Sequence, residues 1–148
     1  MSEENVKTVR QWTGQFGRVE TPEGARTLVA ECWDADADYY PVRKFPDAQP
    51  RHGLAEIAAF YMDYAETWGS YELTVLKLVP VDDVRVFLQT SFQARGRDAE
   101  APVEGELYHS LWLRNGRILR CEDHLTEGGA LRALGLRAAS AAGAQPRS

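Results

Sequence analysis

The spacing of apolar residues divides the chain into a helical first half and an alternating second half. In the first half, apolar residues recur every three or four positions, which predicts helices over about 2–16, 22–32 and 54–68. From residue 71 the period changes to alternation, which predicts strands at about 71–79, 84–94, 104–114 and 117–125. Helices followed by a run of strands are typical of an α+β domain.

Turn and capping residues support these boundaries. Gly17 ends the first helix, and Thr21 with Pro22 suits the start of the second, because threonine caps a helix and proline fits its first turn. A short extended piece, ADYYP, precedes a proline-rich loop, and EGGALRALGL reads as a short closing helix. We expect one domain over 1–136 and a disordered, alanine-rich tail over 137–148.

The segment LYHSLWLRNGRILRCEDHL, residues 107–125, reads as a hairpin around Asn115 and Gly116. A two-residue turn would pair Arg114 with Arg117 and mix leucines with charged residues on one face. A three-residue loop, with Gly116 at positive φ, would separate apolar from polar residues. We therefore expect the three-residue loop, since a slip of one residue moves every side chain to the opposite face.

In the expected register, one face of the hairpin is apolar except for three residues that carry chemistry. This concave face holds Leu107, His109, Leu111, Leu113, Leu119, Cys121, Asp123 and Leu125. The opposite face is polar apart from Trp112 and Ile118, and large apolar groups in a polar surround commonly mark an interface. The pattern predicts a homodimer formed through this outer face.

Composition excludes several classes of function. The net charge of −5, with acidic and basic residues intermixed and no basic run, argues against nucleic-acid or membrane partners. No stretch is long enough to span a membrane and the N-terminus lacks a secretion signal, so we expect a cytoplasmic protein. The spacing of the cysteines and histidines supports no metal site, and there is no glycine-rich phosphate loop, so no cofactor is expected.

The order of elements and the motif HSLWLRNGRILRCEDHL resemble the SnoaL-like, polyketide cyclase-like branch of the nuclear transport factor 2-like superfamily. The resemblance covers residues 3–136. It implies a curved antiparallel sheet wrapped around three N-terminal helices, forming a cone with an apolar pocket. Members include polyketide cyclases, ketosteroid isomerases, epoxide hydrolases, dehydratases and binding domains, so the resemblance constrains the fold far more than the reaction.

The resemblance also assigns roles to single residues. Asp123 matches the pocket carboxylate that cyclases use as acid or base, His109 matches their pocket histidine, and Tyr39 matches a water-positioning tyrosine of the epoxide hydrolases. Those hydrolases also need an asparagine, an arginine and a further aspartate, where this chain has Pro41, Gln89 and Ser91. The resemblance therefore gives no support to epoxide hydrolysis.

Each candidate also has a purely structural interpretation. Asp123 in an apolar pocket would favour its neutral form and exchange protons near neutral pH, whereas at the sheet rim it would pair with Arg95 or Arg97 and stay ionised. His109 could orient Asp123, polarise a carbonyl group or serve as an acid, or be a hydrogen-bonded core residue. Cys121 is expected to pack as an inert thiol.

Further substrate-binding candidates come from neighbouring elements. Gln89 and Ser91 line the pocket if their side of the strand is concave, and meet solvent if it is not. Leu111 and Cys121 share the concave face, and Trp33 and Tyr61 supply apolar wall, although their spacing is also that of helix core residues.

Two functions from different classes remain open. In the first, Asp123, assisted by His109, moves a proton on an apolar carbonyl or polyketide-like compound without a cofactor, as a cyclase, isomerase or dehydratase. In the second, the domain binds a small apolar ligand or dimerises and does no chemistry.

Overall fold

The computed structural model describes residues 2–42, 49–96 and 101–136, and within them the helices and strands follow the predicted order. The helices are α1 (Ser2–Phe16), α2 (Pro22–Cys32), α3 (Gly53–Thr67) and α4 (Glu127–Ala133). The strands are β1 (Trp33–Tyr40), β2 (Arg51–His52), β3 (Trp68–Pro80), β4 (Arg85–Gly96), β5 (Val103–Arg114) and β6 (Arg117–His124). The expected tail at 137–148 lies outside the described residues.

The predicted helix starts have identifiable causes. Thr21 caps α2 by accepting a hydrogen bond from the Gly24 N–H at 3.0 Å, and Thr126 caps α4 in the same way through Gly129, also at 3.0 Å. Within the described residues, no helix is both long and apolar enough to cross a membrane.

The strands form one open, curved sheet in the order β2-β1-β6-β5-β4-β3. Neighbouring strands are antiparallel except for β1 and β6, which are parallel. Register shifts in the β1–β6, β3–β4 and β5–β6 pairs bend the sheet, because a bulge increases local twist and curvature. The α+β prediction is confirmed, with β1 as a parallel exception to the antiparallel pattern.

Helices cover both faces of the sheet. On the concave face, α1, α2 and α3 build the main core around Val9, Val29, Trp33 and Ile57. On the convex face, α4 forms a smaller cluster in which Leu131 packs with Phe87, and Trp112 lies at its edge.

The turn between β5 and β6 differs from the prediction. Arg114 pairs with Arg117, and both central residues have positive φ, 54° at Asn115 and 76° at Gly116. These angles fit the two-residue turn that Asn-Gly sequences favour. The expected three-residue loop is therefore wrong.

A bulge immediately after this turn restores the expected face. Leu113 pairs with Ile118 and Trp112 with Arg120, which leaves Leu119 as an extra residue. Beyond the bulge, Leu111 lies opposite Cys121 and His109 opposite Asp123. The bulge thus accommodates the short turn and still directs the side chains of His109, Cys121 and Asp123 to the concave face.

In the same register, the prediction for one residue of the outer face is wrong. Ile118, expected to point outward, is fully buried in the main core. Its partner Leu113 is buried too. The two residues form the second pair counted from the turn, and both face the helices.

Burial of thiol and phenol groups predicts alkaline sensitivity. Burial, with a smaller contribution from Glu31, raises the pKa of Cys32 to about 12, and burial raises the pKa of Tyr61 well above its ordinary value. The unfolded chain ionises these groups first, so their contribution to stability is intact below about pH 9 and is lost as pH rises. We expect the free energy of unfolding in urea to hold from pH 7 to 8 and to fall above pH 9.

The Cys32→Ala variant is the control for this dependence. It should lose stability at pH 7 because a buried side chain is truncated, and its stability should fall less steeply between pH 9 and 10. An unfolding free energy of the parent protein that stays level or rises through pH 10 would contradict the expectation.

Candidate functional site

Asp123 is a nearly buried carboxylate in the centre of the concave face. Its side chain is 7% exposed. One oxygen, Oδ2, accepts a hydrogen bond from the Tyr39 hydroxyl at 2.5 Å, and the other, Oδ1, lies 2.7 Å from His109 Nδ1. Since β6 lies between β1 and β5, each neighbouring strand supplies one partner for the carboxylate.

A fourth strand extends this arrangement. His109 Nε2 lies 2.8 Å from the Thr90 hydroxyl, which is fully buried on β4. Thr90, His109, Asp123 and Tyr39 thus form a hydrogen-bonded chain across β4, β5, β6 and β1. Both ring nitrogens of His109 are engaged, so the orientation of the imidazole is fixed.

Tyr39 and Cys121 remain neutral donors to the carboxylate. Burial raises the pKa of Tyr39 well above its ordinary value, and the charge of Asp123 raises it further. Burial and the same charge raise the pKa of Cys121, whose thiol lies 3.5 Å from Asp123 Oδ1. A neutral, fully buried thiol is a poor nucleophile, so Cys121 contributes packing and a weak hydrogen bond.

An aromatic cavity encloses the carboxylate. Its volume is about 20 Å³, which is room for roughly one water molecule. Most of its lining is aromatic; with Asp123 and His109 it consists of Trp12, Phe16, Trp33, Tyr39, Phe60, Tyr61, Tyr64, Tyr71, Leu73 and Leu107. We call this space the inner cavity.

A larger cleft lies directly outside the inner cavity. It has a volume of about 360 Å³ and lies between the end of α1, α3 and the start of β3. The two spaces share Phe16, Tyr61, Tyr64 and Tyr71, so these rings stand between the cleft and Asp123. We call this space the outer cleft.

The remaining predicted pocket residues fall into two groups. Trp33 and Tyr61 line the inner cavity, where the Trp33 indole donates to the Tyr61 hydroxyl at 2.9 Å. Leu111 is fully buried opposite Cys121 and supports the site from the core without lining the cavity.

Gln89 and Ser91 do not reach the site. They share the convex face of β4 with Phe87, which packs against α4, and the Gln89 amide donates to Glu106 at 2.9 Å. The opposite face of the strand carries Leu88 and Thr90. The expectation that Gln89 and Ser91 line the pocket is therefore wrong, because the polar side of β4 is its outer side.

One cluster among the described residues has a donor set that a metal ion could use. His109 Nδ1, Cys121 Sγ and a carboxylate oxygen of Asp123 lie within 4.8 Å of one another. The imidazole and the thiol are both directed at the same oxygen, Oδ1, in hydrogen-bonding contact. The three groups are thus paired with each other, and a metal ion would have to replace these contacts.

Sequence reasoning missed Thr90, Phe16, Tyr64 and Tyr71. Thr90 alternates with the glutamine and serine that drew attention to the wrong face, so the same strand contained the signal. Phe16 and Tyr64 lie on helical stripes that also predict ordinary core, and only the ring contacts of Phe16 with Tyr64 of α3 and Tyr71 of β3 make them cavity wall.

Comparisons with known proteins support the fold. No protein-family model matches the chain, and no curated protein matches it by sequence. Among solved structures, it is similar to a hypothetical protein of ketosteroid isomerase-like fold from Catenulispora acidiphila, solved with trimethylamine: TM-score 0.68, 17% identity, covering 89% of this chain and 95% of that one.

Two further solved structures have the same architecture. A protein from Jannaschia sp. assigned as a SnoaL-like polyketide cyclase gives a TM-score of 0.67 at 16% identity, covering 82% of this chain and 85% of that one. A nuclear transport factor 2-like protein of unknown function from Burkholderia pseudomallei gives 0.69 at 17% identity, covering 87% and 95%. The protein has an open curved sheet with three helices on its concave face, and the matches cover most of both chains. It therefore has the nuclear transport factor 2-like fold that SnoaL-like and ketosteroid isomerase-like proteins share.

Proposed function

We propose that the protein is a cofactor-free enzyme that transfers a proton on an apolar carbonyl compound. The single observation that carries this proposal is the hydrogen-bonded chain from Thr90 through His109 and Asp123 to Tyr39, which ends in an aromatic cavity. A carboxylate in such apolar surroundings is costly unless its contacts serve a purpose.

Asp123 is the proton carrier in this proposal. Its carboxylate removes a proton from the carbon next to the carbonyl group, and the electron pair moves onto the carbonyl oxygen to give an enolate. Returning the proton at another carbon gives isomerisation. Attack of the enolate carbon on a second carbonyl group, whose oxygen takes the proton from Asp123, gives cyclisation. Loss of a hydroxyl from the next carbon, which leaves as water with the proton from Asp123, gives dehydration. All three reactions share the first step.

The partners of Asp123 hold it in position for that step. Tyr39 and His109 each fix one carboxylate oxygen, and Thr90 fixes the far side of the imidazole. Aromatic walls favour an apolar substrate and exclude water from the carboxylate. A positioned acid–base group of this kind contributes roughly 10²- to 10⁴-fold to a rate.

A non-catalytic binding module is the second candidate, and the cavity volumes favour it. The inner cavity of about 20 Å³ admits no substrate unless aromatic side chains move, whereas the outer cleft of about 360 Å³ is large enough for a small ligand. The related Catenulispora acidiphila protein was solved with a small amine, trimethylamine. In this alternative the ligand stays in the cleft and Asp123 does no chemistry.

Exchange of α-protons in a small ketone tests the first candidate without knowledge of the natural substrate. In D₂O, the protein should accelerate the exchange of the α-protons of cyclopentanone, followed by proton NMR. Asp123→Asn should keep the fold, since the amide has the same shape, and should lower the exchange rate roughly 100-fold or more.

Glu122→Gln is the matched control, because Glu122 is the next residue on β6 and faces the opposite side of the sheet, where it pairs with Arg120. It should exchange protons as the parent does. Equal exchange rates for Asp123→Asn and the parent would eliminate Asp123 as the proton carrier and favour the binding module.

His109→Ala should have a smaller effect than Asp123→Asn. Water can replace an imidazole that orients a carboxylate, whereas nothing replaces the proton carrier, so we expect a roughly 10-fold slower exchange of the ketone protons. A loss as large as that of Asp123→Asn would instead show that His109 itself carries a proton in the reaction.

We further propose that two chains associate as a homodimer through the outer face of the sheet. Ile118 lies in the core and α4 packs beside Trp112, so neither supplies the open apolar surface that the pattern predicted. Light scattering at micromolar concentration should give twice the chain mass. A single-chain mass would refute the dimer.

A further inference from the structure

The Trp12 indole is a buried donor that lacks a hydrogen-bond partner among the described residues. The residue is 5% exposed, and its Nε1 is inaccessible and unpaired. Leaving such a group unpaired costs about 1–3 kcal/mol, so folded proteins rarely tolerate it without a reason.

The surroundings of Trp12 indicate why its N–H is left unpaired. It lines the inner cavity with Asp123 and meets His109 edge-to-face, with ring centroids 5.9 Å apart. The neighbouring indole of Trp33 is satisfied by the Tyr61 hydroxyl. The Trp12 indole also lies close to the Tyr61 hydroxyl, and this proximity opposes the rise in the pKa of Tyr61. The Trp12 N–H and the Tyr61 hydroxyl nevertheless do not reach hydrogen-bond geometry.

The two polar groups that contact the Asp123 oxygens from neighbouring strands are already committed. Tyr39 and His109 both contact the carboxylate, so neither is free to hold a substrate oxygen. Tyr64 and Tyr71 also line the inner cavity, but their rings stand between it and the outer cleft and have to move to admit a substrate. Enolate formation requires a donor at that oxygen, because negative charge develops there. An indole N–H is suited to this task, since it donates only and has no competing acceptor role.

We propose that the Trp12 N–H donates a hydrogen bond to the carbonyl oxygen of the ligand, an inference that rests on the proposed carbonyl chemistry. Trp12 and Asp123 both line the inner cavity, which has room for about one oxygen-sized group. Because Trp12 Nε1 is closed to solvent, the aromatic side chains that move to admit the substrate must also uncover this N–H. The donor and the carboxylate then act on two adjacent atoms of one substrate. Removing a donor of this type slows catalysis by roughly 10²- to 10³-fold.

Nuclear magnetic resonance observes this donor directly. The protein has 4 tryptophans, and Trp12→Phe identifies which indole N–H signal belongs to Trp12. On addition of cyclopentanone, the Trp12 N–H proton should move downfield more than those of Trp33, Trp68 and Trp112. A Trp12 signal that stays in place up to the highest soluble ketone concentration would overturn the proposal.

Kinetics of α-proton exchange provide the second readout. Trp12→Phe keeps an aromatic ring and removes the N–H, so kcat should fall roughly 100-fold while KM changes little. The matched control is Trp112→Phe, which removes an indole on the convex face and should leave both constants unchanged. Trp12→Phe with the kcat of the parent would overturn the proposal. If this variant does not fold, the Trp12 N–H signal is assigned by triple-resonance NMR of the isotope-labelled parent protein, and its shift with the ketone decides.

The two proposals fail separately. If the parent exchanges protons through Asp123 but the Trp12 signal is unmoved, the role of Trp12 is wrong and the proposed reaction stands. If the ketone moves the Trp12 signal but no exchange occurs, Trp12 binds a ligand oxygen in a protein that performs no such reaction.

Discussion

The burial of the Asp123 carboxylate is the constraint on which the rest of the site depends. Withdrawing a carboxylate from water costs several kcal/mol unless hydrogen bonds replace those lost to solvent. Its two oxygens receive these bonds from β1 and β5, the strands on either side of β6. The parallel placement of β1 and the register of β5 therefore have to be correct together for the carboxylate to be tolerated.

The bulge at Leu119 reconciles two demands on the hairpin. The Asn115–Gly116 pair favours a two-residue turn, yet a regular ladder after that turn would put Arg120 and Glu122 on the concave face. One extra residue returns Cys121 and Asp123 to that face. The sequence pattern indicates both demands, and the three-residue loop predicted from it places the apolar face correctly but not the turn. Both the turn preference of Asn-Gly and the burial of the leucines are satisfied in the structure, because the bulge at Leu119 shifts the register of β6 by one residue.

Much of the fold could be predicted from the sequence, whereas the site could be predicted only in part. Capping residues, prolines and apolar periodicity predict the helix starts at Pro22 and Gly53 and the order of the strands along the chain. His109 and Asp123 stood out because they interrupt an apolar pattern. Which side of β4 faces inward could not be decided, since Gln89 and Ser91 alternate with Thr90 and both sides contain polar groups. The aromatic wall also escaped detection, because a ring on a helix gives the same pattern whether it lines a cavity or fills a core.

A crystal structure of the protein with bound cyclopentanone tests most directly whether a carbonyl substrate reaches Asp123. We expect the ketone in the inner cavity, with Phe16, Tyr64 or Tyr71 displaced. Its α-carbon should lie roughly 3–3.5 Å from an Asp123 oxygen, and its carbonyl oxygen should face the Trp12 N–H. A ketone held only in the outer cleft, with these aromatic side chains unmoved and Asp123 out of reach, would contradict the proposed reaction and identify the domain as a binding module.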